Sequence, residues 1–382
     1  MKTGRNSLSV VQVNYAFDNS LSDPDALLAR YTTLTGWSQA VLAAGARRSA
    51  VVQRFRRAAR IVRNGIEYVF VNRAVASAAA ALSPDVAHVN GLEFGARTWR
   101  LRRSLPASTA VVVQNHSDSG PMGYAPVARL IGAATRHAVD AFLFAADDHV
   151  GRWRRAGFIA PRQRTYQVME ASTAVTAIPR AEAESITGMH GNPAILWVGR
   201  LNANKDPLTI LDAFERTVTT LPQATLTMVY DASDLLRDVQ ARVEGRIVLR
   251  ERVHLAGAVA HERIPAYCSA ADIFVLGSRH EGSGYALIEA LACGATPAVT
   301  DIPSFRVLTA GGAVGVLWQP GDAAGCARAL VALARRDLRA ERPAVCQHFE
   351  RHFSWDAIGQ RALEIYEDVV QSRVEISERR GD

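Results

Sequence analysis

Two acids flank a glycine turn in the segment RHEGSGYALIEALACG, residues 279–294. Seven residues separate Glu281 from Glu289, with Gly282, Ser283, Gly284 and Tyr285 following the first of them. The apolar run DIFVLGS ahead of this segment reads as a strand and YALIEALA as a helix, so Ser283 and Gly284 fall where the helix begins. The leading N–H groups of a helix have no acceptor within it, and together with the helix dipole they form an anion site. Glycines there let backbone approach a ligand with no Cβ in the way. Carboxylates accept hydrogen bonds well from pairs of sugar hydroxyls. The plainer alternative makes Glu281 a surface acid and Glu289 a charge favoured by the dipole.

A second cluster follows the strand AILWV. Gly199 and Arg200 leave the strand in GRLNANKDP, and Lys205 precedes the next helix. Two cations so close at a strand end suit a diphosphate, because arginine offers a planar fork and lysine a compact charge. A solvated loop with ordinary surface charges is the alternative. In the first half, AVVVQNHSDSG ends its strand at Asn115 and His116. A histidine there can hydrogen-bond a substrate or assist proton movement, or it can be structural. Ser117 and Asp118 beside it could shape the loop or contact ligand.

The elements that must position these residues alternate regularly. Short runs rich in Val and Ile (8–17, 50–55, 66–71, 86–91, 110–115 and 141–146) are separated by Ala- and Leu-rich helical stretches. Around 171–193 the periodicity lapses, as in a linker, and the alternation then restarts. Continuous apolar strands between helices predict parallel sheets covered on both faces. The fold class expected is therefore α/β, with two Rossmann-like doubly wound units in succession. In such sheets ligands bind beyond the carboxyl ends of the strands, which is where these residues lie. The expected domains are 1–178, 190–352 and a closing amphipathic helix within 353–382.

Bulk properties narrow the classes. A chain of 382 residues suits two domains. With 48% hydrophobic and 21% charged residues it is not a disordered composition. The net charge of +7 fits anionic small molecules, an acidic membrane surface or nucleic acid. The four cysteines form no CxxC pair, which argues against zinc, and their spacing suits a reducing compartment. The amino terminus has no secretory h-region, and no apolar run nears the length of a membrane span. The expectation is a cytoplasmic protein. The Arg-rich stretches 47–65, TWRLRRS and GRWRRAG read as solvated surface, or as docking on anionic lipid at the inner membrane face. Nucleic-acid binding is not expected, because no aromatic interleaving accompanies the charge.

Several motifs in order carry a resemblance. ILWVGRLNANKDPLTILDAF, VHLAGAV, IPAYCSAADIFVLGSRHEGSGYALIEALACGATPAVT and GVLWQPGD resemble the donor domain of the GT-B retaining glycosyltransferases of family 4, over about 190 to 335. FSWDAIGQRALEIYEDV is similar to that family's closing helix, which crosses back to the first domain. The resemblance implies the GT-B arrangement, two domains facing a central cleft. It implies a nucleotide-diphosphate sugar, UDP- or GDP-linked, as co-substrate, with no other cofactor and no metal. Gly199, Arg200 and Lys205 would meet its diphosphate. Glu281 would contact the sugar hydroxyls, and the backbone at Ser283, Gly284 and Tyr285 phosphate or sugar oxygens. Glu289 would accept the ribose hydroxyls, and the loop near Val259 would frame the base. His116 matches the family's histidine near the transferred sugar. The first half departs from the family, since NYAFDNSLSDPDALL lacks a Gly-Gly turn and VMEASTAV replaces a Pro-Asn-Gly turn.

The expected reaction is retaining sugar transfer to a glycan, lipid or small-molecule acceptor. SDSG and SDPD are only weak substitutes for a metal-binding acidic pair. Arg200, Lys205 and the helix start can instead stabilise the departing diphosphate. A sugar-nucleotide epimerase of the same architecture and a non-catalytic sugar-nucleotide-binding subunit are the alternatives. A nicotinamide dehydrogenase is disfavoured, because no GxGxxG follows the first strand of either half.

Overall fold

The computed structural model describes residues 7–116, 125–231 and 234–378. It divides into two units, Met1–Ser172 with Trp355–Asp382, and Thr173–Ser354.

The first unit is built on strands β1 (Ser9–Asn14), β2 (Arg48–Arg54), β3 (Ala59–Arg63), β4 (Ile66–Val71), β5 (Val86–Asn90), β6 (Ala110–Gln114), β7 (Ala141–Phe144) and β8 (Arg164–Gln167). They run in the order β3-β4-β2-β1-β5-β6-β7-β8. Successive residues of a strand face opposite ways. Val11, Val13, Ala50 and Val52 enter one core with Trp153 and Phe158, while Val51 enters another with Leu27, Leu34 and Phe55. Both faces are thus covered, which is why these strands read as unbroken apolar runs.

All the pairings of this sheet are parallel except one. Strand β3 runs antiparallel to β4, with Arg63 opposite Ile66. This edge hairpin adds one antiparallel pair to an otherwise parallel sheet. Its turn is Asn64-Gly65, at φ 51° and φ 76°, the left-handed pair that a two-residue hairpin requires. The Asn-Gly signal is in the sequence, but the arginines around it were read as surface charge. Arg60 and Arg63 on β3 pair with Glu67 and Asp25, so the exposed edge carries charge and discourages strand addition.

The helix Trp355–Glu378 belongs to this unit and packs on the helix Thr32–Ala43. Trp37, Tyr366 and His88 are almost wholly buried at the contact. Trp37 Nε1 donates to Tyr366 Oη at 3.0 Å, and the same hydroxyl is hydrogen-bonded to His88 Nδ1. Burial, with a smaller contribution from His116, pushes His88 down to about 3. His88 is therefore neutral.

The second unit holds β9 (Ala194–Arg200), β10 (Thr225–Asp231), β11 (Val253–Gly257), β12 (Ile273–Leu276), β13 (Thr296–Thr300) and β14 (Val316–Trp318). All are parallel, in the order β11-β10-β9-β12-β13-β14. Part of the aperiodic stretch before it is helical. The helix Arg180–Thr187 is docked by Arg180, which reaches Asp272, and by Ile178 N, which donates to Ser269 Oγ at 3.1 Å. Asp272 Oδ2 also accepts from Ala194 N at 2.9 Å, tying this helix to the start of β9. The polar attachment leaves little apolar period to read.

Candidate active site

Strands β9 and β12 are neighbours, and each ends in a loop that carries predicted site residues. The two loops are stitched together. Asn204 Nδ2 donates to His280 O, and His280 N donates to Asn204 Oδ1, both at 3.0 Å. Arg279 N donates to Asn204 O at 2.8 Å, and Arg279 Nη2 to Asp206 Oδ2 at 2.8 Å. Asp206, at φ 46°, caps the helix Pro207–Thr217 and accepts from Thr209 Oγ1 at 2.9 Å.

This stitching brings Lys205 to Glu281. The Lys205 ammonium and the Glu281 carboxylate form an ion pair, with side chains only 19% and 13% exposed. Ser278 Oγ donates to the same Glu281 oxygen at 2.7 Å. Ser278 is held from behind, because its carbonyl accepts from the buried Thr300 Oγ1 at 2.6 Å. Lysine and carboxylate are thus pre-set, and little side-chain freedom is left to lose when a ligand arrives.

The helix Tyr285–Ala292 starts at Gly284, whose φ of 71° lies in the left-handed region. A Cβ there would stand 2.9 Å from the Phe305 ring. Both the conformation and the space therefore call for glycine. With glycine as its first cap, the helix end has no side-chain acceptor of its own. Ser283 is buried and Tyr285 is exposed. Glu289 is 8% exposed, and its Oε1 meets His261 Nε2 at 2.7 Å. Burial raises the Glu289 pKa, and the bond to His261 opposes that rise. Val259 lies half-buried in the loop after β11. Gly199 and the exposed Arg200 close β9, with Arg200 in register with Asp231.

In the first unit, His116 follows β6. Its Nδ1 pairs with the carboxylate of Glu170, which is 5% exposed, and its Nε2 lies 3.0 Å from Asn90 Oδ1. Burial disfavours the charged ring, but Glu170, with a smaller push from Glu93, outweighs this and raises the His116 pKa. Ser117 and Asp118, together with the rest of SDSG, lie outside the described residues.

Residues 192–336 match the family described as Glycosyl transferases group 1. The chain is also 26% identical, over 293 residues, to the GDP-mannose:cellobiosyl-diphosphopolyprenol alpha-mannosyltransferase of Xanthomonas campestris, covering 75% of each chain. The chain is a glycosyltransferase.

Solved structures agree on the fold. The glycosyltransferase is similar to sucrose-phosphate synthase from Thermosynechococcus elongatus, with TM-score 0.65 and 17% identity over 95% of this chain and 100% of that one. It is also similar to Anabaena Alr3699/HepE in complex with UDP and glucose, with TM-score 0.60 and 16% identity over 98% and 99%. The architecture is the GT-B fold.

Sequence reading of the glycosyltransferase named the ends of the strands and missed the residues that connect them. Asn204, Asp206, Ser278 and Thr300 hold the Lys205–Glu281 pair, His261 holds Glu289, and Asn90 and Glu170 hold His116. The short polar segment NANKD was the available signal, since turn-forming Asn and Asp crowd it. Nothing in the local sequence marked Glu170. Among the described residues no three His, Cys, Asp or Glu side chains group as a metal site, and no helix is long and apolar enough to cross a membrane.

Proposed function

We propose that this glycosyltransferase moves a hexose from a nucleoside-diphosphate sugar to an acceptor hydroxyl, with retention at the anomeric carbon and without a divalent ion. The observation that carries this reading is the Lys205–Glu281 pair set beside a glycine-started helix that bears Glu289. It supplies a cation and a helix start for a diphosphate, and acceptors for sugar and ribose hydroxyls. The name of the Xanthomonas relative specifies a GDP-mannose donor and a diphosphopolyprenol acceptor, and the Anabaena structure holds UDP and glucose. Both base classes therefore belong in the donor test.

In this mechanism the bond from C1 to the leaving phosphate oxygen breaks and the acceptor oxygen bonds to C1 on the same face. The acceptor's proton passes to the departing phosphate oxygen, so no side-chain base is needed. Lys205, Arg200 and the helix start take up the charge that grows on the diphosphate. A lipid acceptor would bring the protein to the inner membrane face. The exposed Trp99, under the Arg103 guanidinium at 4.9 Å, offers an aromatic and basic contact for such a surface.

Thermal shift and calorimetry against UDP- and GDP-sugars, with and without EDTA, test the reading. One donor should raise the melting temperature equally in both conditions. Failure of every donor to bind removes the proposed co-substrate, and binding or turnover lost to EDTA removes metal independence. Turnover of a donor with no acceptor present would favour the epimerase. Glu281→Ala is expected to lower kcat/KM for transfer roughly 10- to 100-fold, from loss of about 1.5–3 kcal/mol of charged hydrogen bonding, while the bare nucleoside diphosphate binds as before. Equal loss of both would make Glu281 structural.

A further inference from the structure

Strands β1, β5 and β6 end in a run of amides that leads to His116, and its orientation can be followed from one fixed point. The buried Gln12 Nε2 donates to the backbone carbonyl of Leu34 at 3.3 Å and to Ser38 Oγ. A carbonyl can only accept, so the amide nitrogen of Gln12 faces Leu34 and its Oε1 faces the other way. That Oε1 accepts from Asn90 Nδ2 at 2.9 Å, and Asn14 Oδ1 accepts from the same nitrogen at 2.6 Å. With its nitrogen committed, Asn90 turns its Oδ1 to His116 Nε2 at 3.0 Å. An amide oxygen cannot donate, so His116 Nε2 carries the hydrogen. On the other side His116 Nδ1 stands in ion-pair contact with the nearly buried carboxylate of Glu170, and a carboxylate, being acceptor-only, calls for a proton on that nitrogen. A neutral imidazole has one N–H, and this ring is asked for two.

We propose that Gln12, acting through Asn90, is a positioning residue that together with Glu170 holds His116 as an imidazolium, so that His116 serves the reaction as a fixed cation and not as a proton acceptor. Its relevance to transfer rests on the functional reading above, but its protonation state does not. The charged groups around the ring agree in sign. Glu170 and Glu93 favour the cation, and His88, whose field would oppose it if charged, is kept neutral by burial. The raised pKa of His116 has the same cause. A histidine already charged cannot take the acceptor's proton, which leaves that proton to the departing phosphate.

The test is 15N NMR of the histidine-labelled full chain, with the His116 signals assigned by their loss in His116→Gln. At pH 7 both ring nitrogens should be protonated, and the ring should titrate above the ordinary 6.5. A single neutral tautomer at pH 7 overturns the proposal, and this measurement on the native protein needs no variant to fold. Gln12→Met frees the Asn90 amide to rotate and should lower the His116 midpoint, and Glu170→Gln should lower it further. A merely structural role for Gln12 would lower the melting temperature and leave the midpoint where it was, which also overturns the proposal. With a working donor and acceptor, kcat should fall tenfold per pH unit once pH exceeds the His116 midpoint. Activity that persists there while His116 is neutral refutes the role as a needed cation. Failure of every donor with His116 still charged would instead refute the transfer reading alone.

Discussion

Lys205→Ala is expected to lower kcat by about 2–4 kcal/mol, roughly 30- to 1,000-fold, the scale seen when one preorganised group facing a developing anion is removed. Binding of the nucleoside diphosphate should weaken far less, because the helix start and Arg200 remain. The structure adds a second consequence. Lys205 is the ion-pair partner of Glu281, and neither side chain is more than a fifth exposed. Removing the lysine leaves a mostly buried carboxylate that still accepts from Ser278 Oγ but has lost its cation. Part of the loss is thus the cost of an unpaired charge, not of phosphate stabilisation. A double-mutant cycle with Glu281→Gln separates the two parts. If the charge of Glu281 is the cause, Lys205→Ala in the Glu281→Gln background should show a smaller drop in kcat. An unchanged kcat in Lys205→Ala removes Lys205 from the mechanism.

The second large effect is on stability. Tyr366→Ala is expected to cost the first unit about 3–5 kcal/mol, as truncation of a fully buried aromatic does. It also leaves Trp37 Nε1 and His88 Nδ1 without their shared partner. Tyr366→Phe keeps the ring and removes only the hydroxyl, so it isolates that polar contribution, expected at about 1–3 kcal/mol. Urea denaturation read by tryptophan fluorescence measures both. A loss below 1 kcal/mol for Tyr366→Ala would mean that the closing helix is not integral to this unit. The two histidines give the pH dependence opposite signs. His88 is depressed in the fold, so its contribution is present above the ordinary 6.5 and is lost as pH falls from there toward 3. His116 is raised, so its contribution is complete below 6.5 and is lost as pH climbs through its higher folded value. Stability of the first unit should therefore peak between the two transitions, and Glu170→Gln should lower stability below the His116 transition and abolish the alkaline decline.

Much of the fold was readable because parallel strands buried on both faces carry their own signature. AILWV, IFVL and AVVV needed no partner to be recognised, and the loops after them were named for what they could bind. Strand β3 escaped because its five residues are half-exposed and include two arginines, so only the Asn-Gly turn and the run of β4 signalled the hairpin. The helix Arg180–Thr187 escaped because an ion pair docks it, not an apolar stripe.

By itself the sequence determined which residues stand at strand ends and helix starts, since backbone periodicity and turn chemistry are local. It could list Lys205, Glu281, Glu289 and His116. Only the tertiary structure decided what each is joined to. Lys205 and Glu281 are 76 residues apart in the chain, and Gln12 and Asn90 are 78 apart. A hydrogen bond or ion pair depends on tenths of an ångström between atoms that sheet order brings together. The charge carried by a histidine, and the partner held by a lysine, are therefore properties of the folded register and not of the residue or its neighbours in sequence.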